Sequence, residues 1–233
     1  MSSDASSTQD LKYHERYVPA SHWRNAYDEA DGAKLGMWLF LSTEILLFAG
    51  FFCAYAVFRM MYPGNWAEAS DYYLVWEIGA FNTLVLLFSS FTVVMAIRGA
   101  QLNKPAMVNV NLILTIACAF LFLIIKVVWE YMPKIEKSEL PGANFAYLSS
   151  HIGEVGGYIP GAHDNIFLSI YWISTATHGV HVLIGAFLLM WCLWRNMKGH
   201  YGPKHYISLE NVGLYWHIVD IIWIFLFPLL YLV

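Results

Sequence analysis

Six polar side chains interrupt long apolar stretches of the sequence, where a charge or an unpaired polar group is costly. They are Glu44, Asn82, His178, His181, His217 and Asp220. Inside a bilayer, such residues pair with one another or face a wet cavity, and they often mark proton pathways or cofactor sites. The chemistry open to these six is therefore proton handling, haem ligation or hydrogen bonding within the protein.

Glu44 lies deep in the first apolar segment, which begins near Leu35. At 1.5 Å per residue this places Glu44 roughly 14 Å from the start of the segment, close to the midplane of a membrane. Two interpretations remain open from the sequence. The residue is either a neutral glutamic acid that is hydrogen-bonded inside a helical bundle, or a group that handles protons or contacts another subunit.

The histidines come in pairs of residues spaced three apart, which share one face of a helix. His178 and His181 stand in HGVH, and His217 and Asp220 repeat the spacing in YWHIVD. A His–Asp pair would satisfy both side chains. A bis-histidine haem would need one histidine from each of the two segments. No three ligands have the spacing of a catalytic metal centre, so a structural hydrogen-bond network is the favoured prediction, with no catalytic residue and no metal site.

Other polar residues lie closer to the segment ends. Lys126 and Glu130 are spaced i, i+4, which predicts an ion pair near one end of the third segment. Glu210 stands at the start of the fifth segment. These three residues are expected to stabilise the helix ends.

The composition indicates which elements position these residues. Hydrophobic residues make up 58% of the chain and charged residues only 13%, against about 25% in soluble domains. Five apolar segments each exceed the roughly 20 residues that cross a bilayer: Leu35–Phe58, Leu74–Ile97, Met107–Trp129, Ile166–Trp194 and Leu209–Tyr231. The sequence therefore predicts an all-α, polytopic membrane bundle of five transmembrane helices.

The remaining segments are polar or irregular. Residues 1–33 are predicted to form a polar N-terminal tail in the cytoplasm, and residues 34–233 the five-helix domain. Residues 132–165, rich in Pro and Gly, are predicted to form an irregular loop. No basic run indicates binding of nucleic acid.

The distribution of Lys and Arg predicts the orientation, because cytoplasmic loops carry an excess of these residues. An N-terminus inside and a C-terminus outside would place nine of them on the inner side: Lys12, Arg16, Arg24, Lys34, Arg98, Lys104, Arg195, Lys198 and Lys204. The outer side would hold only Arg59, Lys134 and Lys137, with Lys126 inside the third helix.

Five motifs occur in order, one in or beside each segment. They are KLGMWLFLSTEILLFAGFFCAY, FNTLVLLFSS, IKVVWEY, THGVHVLIGAF and GLYWHIVDIIWIFLF. Together they resemble the subunit III family of cytochrome c oxidase, in the haem–copper oxidase superfamily. The resemblance covers about residues 34–232 and leaves out the tail.

The resemblance implies a subunit without haem or copper of its own. Such a subunit packs against oxidase subunit I, which holds the oxygen-reducing site, and belongs to a complex with subunit II and other membrane subunits. It supports proton uptake and durable turnover, and it binds phospholipid. The family's carbodiimide-reactive carboxyl maps onto Glu44. Its HGLH motif maps onto His178 and His181, and its WHFVD motif maps onto Trp216, His217 and Asp220. Its Glu-Tyr pair maps onto Glu130 and Tyr131, and its Glu before the fifth segment maps onto Glu210.

The chain departs from longer members of the family, which have two further helices at the N-terminus. Shorter forms also serve quinol oxidases and some nitric oxide reductases, and Glu44 within LSTEILLFAGFF favours the cytochrome c branch. A standalone b-type cytochrome is the rival from another class. The expected location is a bacterial plasma membrane in preference to the mitochondrial inner membrane.

Overall fold

The computed structural model of the chain describes residues 21–137, 139–141, 164–203 and 205–232. Within these ranges the chain is built from helices, and the longest ones run antiparallel to their neighbours in sequence. In chain order the elements are α1 (Ala26–Met61), α2 (Pro63–Tyr73), α3 (Trp76–Gln101), α4 (Pro105–Ile125), a π-helical turn (Lys126–Tyr131), α5 (Met132–Glu136), α6 (Asp164–Met197) and α7 (Ile207–Tyr231).

Five helical stretches within the described residues are long and apolar enough to cross a membrane, which confirms the predicted number of spans. They are Tyr27–Met61, Trp76–Gln101, Pro105–Glu136, Asp164–Met197 and Ile207–Tyr231. Each is longer than its predicted segment. The extra turns carry polar residues, which hydropathy alone excludes but which the ends of a long helix tolerate.

The first span begins earlier than its apolar stretch. The Asn25 side chain accepts a hydrogen bond from the Asp28 amide at 2.8 Å, which caps α1. Asp28 and Glu29 in the first turn favour a helix start here, because the N-terminal end of the helix dipole is positive. The boundary predicted between residues 33 and 34 thus falls within α1. Residues 1–20 of the predicted tail lie outside the described residues.

A short helix, α2, connects the first two spans and was not predicted. Pro63 begins it, a position where a missing amide hydrogen costs nothing. Trp66 is buried, and the Ser70 hydroxyl donates to the Leu230 carbonyl at 2.7 Å. The helix therefore covers the end of the bundle at which α7 finishes. We call this the Tyr231 end and the opposite one the Asn25 end.

The core is formed by α3, α4, α6 and α7, while α1 lies against one side of it and packs mainly on α6 and α7. In the most apolar stretch of α1 only 11% of the residues are buried, compared with 50% in α7. This difference leaves a wide apolar face on α1, with Trp38, Phe40 and Leu46 among its exposed residues.

Two glycines permit close helix approach within the core. A Cβ atom at Gly185 of α6 would lie 2.7 Å from the Trp216 ring of α7. A Cβ atom at Gly213 of α7 would lie 2.8 Å from the Ile97 side chain of α3. Small residues of this kind let helix backbones approach closely, which matters in lipid because the hydrophobic effect does not drive helices together there.

The third span continues beyond its predicted end through the π-helical turn. Lys126, Glu130 and Lys134 follow one another at intervals of four residues, which places them on one helix face. All three are buried. The prediction of an irregular loop from residue 132 was wrong for its first residues, which are helical as far as Glu136. Residues 142–163 of that loop lie outside the described residues.

Candidate functional site: buried polar contacts between the helices

Glu44 of α1 and His181 of α6 are in direct contact. The Glu44 Oε2 and His181 Nε2 atoms are 2.7 Å apart, and the side chains are 17% and 13% exposed. Phe48 packs edge-on against the imidazole at 5.3 Å between ring centroids. The contact joins α1 to the core through two titratable groups.

Tyr215 of α7 completes the surroundings of this pair. Its hydroxyl donates to the His181 backbone carbonyl at 3.2 Å. Three helices therefore meet at the Glu44–His181 contact. The sequence indicated Glu44 and His181, but not Tyr215, because a tyrosine in an aromatic-rich helix has no distinguishing pattern.

His178, one turn before His181, is fully buried and faces a different helix. Its Nε2 atom lies 3.1 Å from the Val219 carbonyl of α7, to which it donates. The Trp223 and Phe122 rings pack against the imidazole at 5.1 Å and 5.6 Å between centroids. His178 therefore holds α6 against α7 through this hydrogen bond.

His217 and Asp220 do not bind each other within the described residues. His217 Nδ1 instead lies 2.6 Å from the Ser90 hydroxyl of α3. Asp220 is 3% exposed, and neither of its carboxyl oxygens has a hydrogen-bond partner in the described part of the chain.

Asn82 of α3 is also fully buried, and both polar atoms of its amide lack a hydrogen-bond partner among the described residues. The predicted intramembrane polar residues thus make separate contacts. Glu44 binds His181, His178 binds a carbonyl and His217 binds Ser90.

Lys126 and Glu130 form the predicted ion pair, and both side chains are buried. The Glu130 Oε2 atom also accepts hydrogen bonds from Tyr171 at 2.7 Å and Tyr231 at 2.6 Å. The Lys126 ammonium lies 4.8 Å from the centre of the Trp223 ring, within the range of a cation–π contact. The sequence predicted the pair but missed the residues that complete it.

Glu210 lies in the first turn of α7, where a carboxylate is favourable. It pairs with Lys34 of α1 at 3.0 Å, and the two side chains are 28% and 39% exposed. This contact is a surface pair at the Asn25 end.

The described residues contain no group of three or more His, Cys, Asp or Glu side chains placed to hold a metal ion. The three intramembrane histidines instead contact a carboxyl, a carbonyl and a hydroxyl of the chain itself. The chemistry open to these contacts is hydrogen bonding and proton exchange.

The fold and these contacts define a class of protein, namely an integral membrane protein with five apolar spans and titratable contacts between its helices. Comparison with known proteins identifies the family. The model of the cytochrome c oxidase subunit III family matches residues 159–233. Cytochrome c oxidase subunit 3 of Thermostichus vulcanus is 30% identical over 209 residues, which cover 89% of this chain and 90% of that protein.

Two further relatives carry the same name. The protein of Synechocystis sp. is 29% identical over 234 residues, covering 100% of this chain and 85% of its own. That of Mus musculus is 29% identical over 211 residues, covering 86% and 69%. The chain belongs to the cytochrome c oxidase subunit III family. It is therefore a subunit of an oxidoreductase complex that includes other oxidase subunits.

Proposed function

We propose that this chain is an auxiliary subunit, without a cofactor of its own, of a proton-pumping terminal oxidase that passes electrons from cytochrome c to oxygen. It stabilises subunit I and supports proton uptake there. Family membership supports the oxidase assignment. The single observation that supports the proton-related part is the Glu44–His181 contact, because a carboxyl and an imidazole 2.7 Å apart exchange a proton readily.

The proposed partners are subunit I directly, together with subunit II, further membrane subunits and bound phospholipid. The apolar face of α1 supports such packing, since it is the least covered of the five spans within the described residues. Haem and copper are proposed to reside on the partner subunits. The catalytic step itself therefore involves no residue of this chain.

We propose that the N-terminus lies inside and the C-terminus outside, in a bacterial plasma membrane. The charges at the two ends of the bundle support this orientation. Among the described residues six basic side chains lie at the Asn25 end and four at the Tyr231 end: Arg24, Lys34, Arg98, Lys104, Arg195 and Lys198 against Arg59, Lys126, Lys134 and Lys137. Within the bundle, Asn82, His178, His217 and Asp220 are proposed as structural polar residues, and Glu44 as the proton-related carboxyl.

The test replaces one carboxyl in the intact oxidase. Glu44→Gln keeps the size of the side chain and removes its acidity, and Glu77→Gln at the exposed start of α3 is the matched control. We expect unchanged haem spectra in both complexes and a shorter catalytic lifetime in Glu44→Gln only. Equal lifetimes in both would contradict the proton-related role.

The electron donor is tested separately. The purified complex is expected to turn over with reduced cytochrome c and not with a quinol, whereas the reverse result would assign it to the quinol branch. An optical spectrum of the released subunit is expected to show no haem, and stoichiometric haem in it would contradict the cofactor-free assignment.

A further inference from the structure

The atoms around the His181 ring determine which of its two nitrogen atoms carries a hydrogen. The Nδ1 atom lies 2.7 Å from the Thr177 carbonyl oxygen, one turn earlier in α6. A carbonyl oxygen only accepts hydrogen bonds, so Nδ1 must carry a hydrogen and donate it. A neutral imidazole has one N–H group, so in the neutral ring Nε2 is left with a lone pair.

The other side of the ring faces a second acceptor. Nε2 lies 2.7 Å from the Glu44 Oε2 atom. An ionised carboxylate only accepts hydrogen bonds, so an ionised Glu44 and a neutral His181 would place two lone pairs against each other at this distance. The short contact therefore requires one further hydrogen between the two atoms.

We propose that Glu44 and His181 form a single-proton site, which binds one exchangeable proton between Glu44 Oε2 and His181 Nε2. The proton resides on the carboxyl, opposite a neutral imidazole, or on Nε2, opposite a carboxylate. Both arrangements have no net charge. Loss of the proton would leave a net negative charge, and gain of a second would leave a positive one, which an apolar environment disfavours.

The residues around the pair are consistent with a site that exchanges its proton. The two side chains retain 17% and 13% exposure on the side where α1 covers the core. In the described part of the chain, Tyr215 of α7 and His178, one turn earlier in α6, are titratable neighbours of the pair, and Phe48 of α1 packs on the imidazole. Tyr215 is a positioning residue, because its hydroxyl donates to the backbone carbonyl of His181 and not to the side chain of Glu44 or His181.

The assignment of the proton depends only on the geometry of the pair. A role for that proton during turnover of the oxidase rests on the proposed function. The assignment of the proton and its role during turnover can therefore fail independently, and a separate measurement tests each of them.

The experiment uses the intact oxidase with 15N-labelled histidine. Nitrogen NMR reports which ring atoms of His181 carry hydrogen, and infrared spectra in light and heavy water report whether Glu44 is a carboxylic acid. We expect Nδ1 to be protonated, together with either a carboxylic acid band or an imidazolium signal. In Glu44→Gln this band or signal disappears while the Nδ1 hydrogen remains. The control Asp220→Asn leaves the His181 nitrogen signals unchanged.

Two results would overturn the single-proton site. One is an ionised Glu44 beside a neutral His181 that carries its hydrogen on Nε2, and the other is a carboxylic acid beside an imidazolium. Both are readable in the unsubstituted complex, so the proposal stays testable if a variant fails to assemble. Catalytic lifetime measured on the same preparations tests the proposed function alone.

Discussion

Lys126 donates a hydrogen bond to Glu130 from one turn earlier in the third span, and the two side chains are only 3% and 2% exposed. This pair lies under the rings of Tyr171, Tyr231 and Trp223. The buried Glu130 carboxylate depends on the groups that donate hydrogen bonds to it, because no water is there to replace them.

We expect Lys126→Met to destabilise the subunit strongly. The substitution keeps the length of the side chain but leaves the Glu130 carboxylate buried without its cation, which costs roughly 3–5 kcal/mol. Thermal release of the subunit from the complex measures the effect. The exposed pair of Lys34 and Glu210 provides the control, since Lys34→Met should cost about 0–1 kcal/mol. Similar losses for both variants would contradict the distinction.

Removal of both charged partners should be much less harmful than removal of one. A double variant, Lys126→Met with Glu130→Gln, leaves no unpaired buried charge, so it is expected to recover most of the stability lost in Lys126→Met. The same thermal measurement applies. A double variant less stable than the single one would show that Glu130 acts through its tyrosine contacts.

Gly185→Ala should loosen the packing of α6 against α7. The added methyl group would lie 2.7 Å from the Trp216 ring, and both backbones are held by other contacts. Such overpacking costs about 1–3 kcal/mol. Gly179→Ala on the same helix is the matched control, because a methyl group added there would have nothing within 4 Å. It should be neutral or slightly stabilising, since alanine favours a helix.

Two buried polar residues of α3 should lose different amounts of stability when replaced by alanine. Ser89 accepts a hydrogen bond from the Trp216 indole at 3.0 Å, so Ser89→Ala leaves that buried N–H group unpaired at a cost of about 1–3 kcal/mol. Asn82 makes no hydrogen bond within the described residues. Asn82→Ala should therefore change the stability by less than about 1 kcal/mol. A large loss at Asn82 would indicate a hydrogen-bond partner on another subunit or a bound water.

Glu139, just beyond the third span, should make stability depend on pH. Burial raises the pKa of this carboxyl, against the opposing effects of Lys134 and Lys137. The folded protein then binds the proton more tightly than the unfolded chain, so the contribution of Glu139 is lost as the pH rises through the raised pKa. Glu139→Gln should flatten the fall in melting temperature over that range. An unchanged pH profile would contradict the shift.

The sequence predicted the features that depend on local pattern. The five spans followed from runs of apolar residues, and the pairing of Lys126 with Glu130 followed from their spacing on one helix. Contacts between distant segments were not available in this way. Tyr231 lies 105 residues from Lys126 in the chain, and nothing near either residue encodes their contact.

The partner of His217 shows the same limit. Spacing three apart places His217 and Asp220 on one helix face, but it does not determine which neighbouring helix offers a better partner. The Ser90 hydroxyl on α3 engages His217 instead. The helix α2 was missed because its eleven residues contain no long apolar run.

The position of α1 also bears on how the subunit is made. Among the described helices this one is synthesised first, yet its main neighbours, α6 and α7, are synthesised after the others. Glu44 and His181 are 137 residues apart, so roughly ten seconds of translation separate them at typical rates. During that interval α1 lacks its main neighbours, and the Glu44 carboxyl has no His181 side chain to contact.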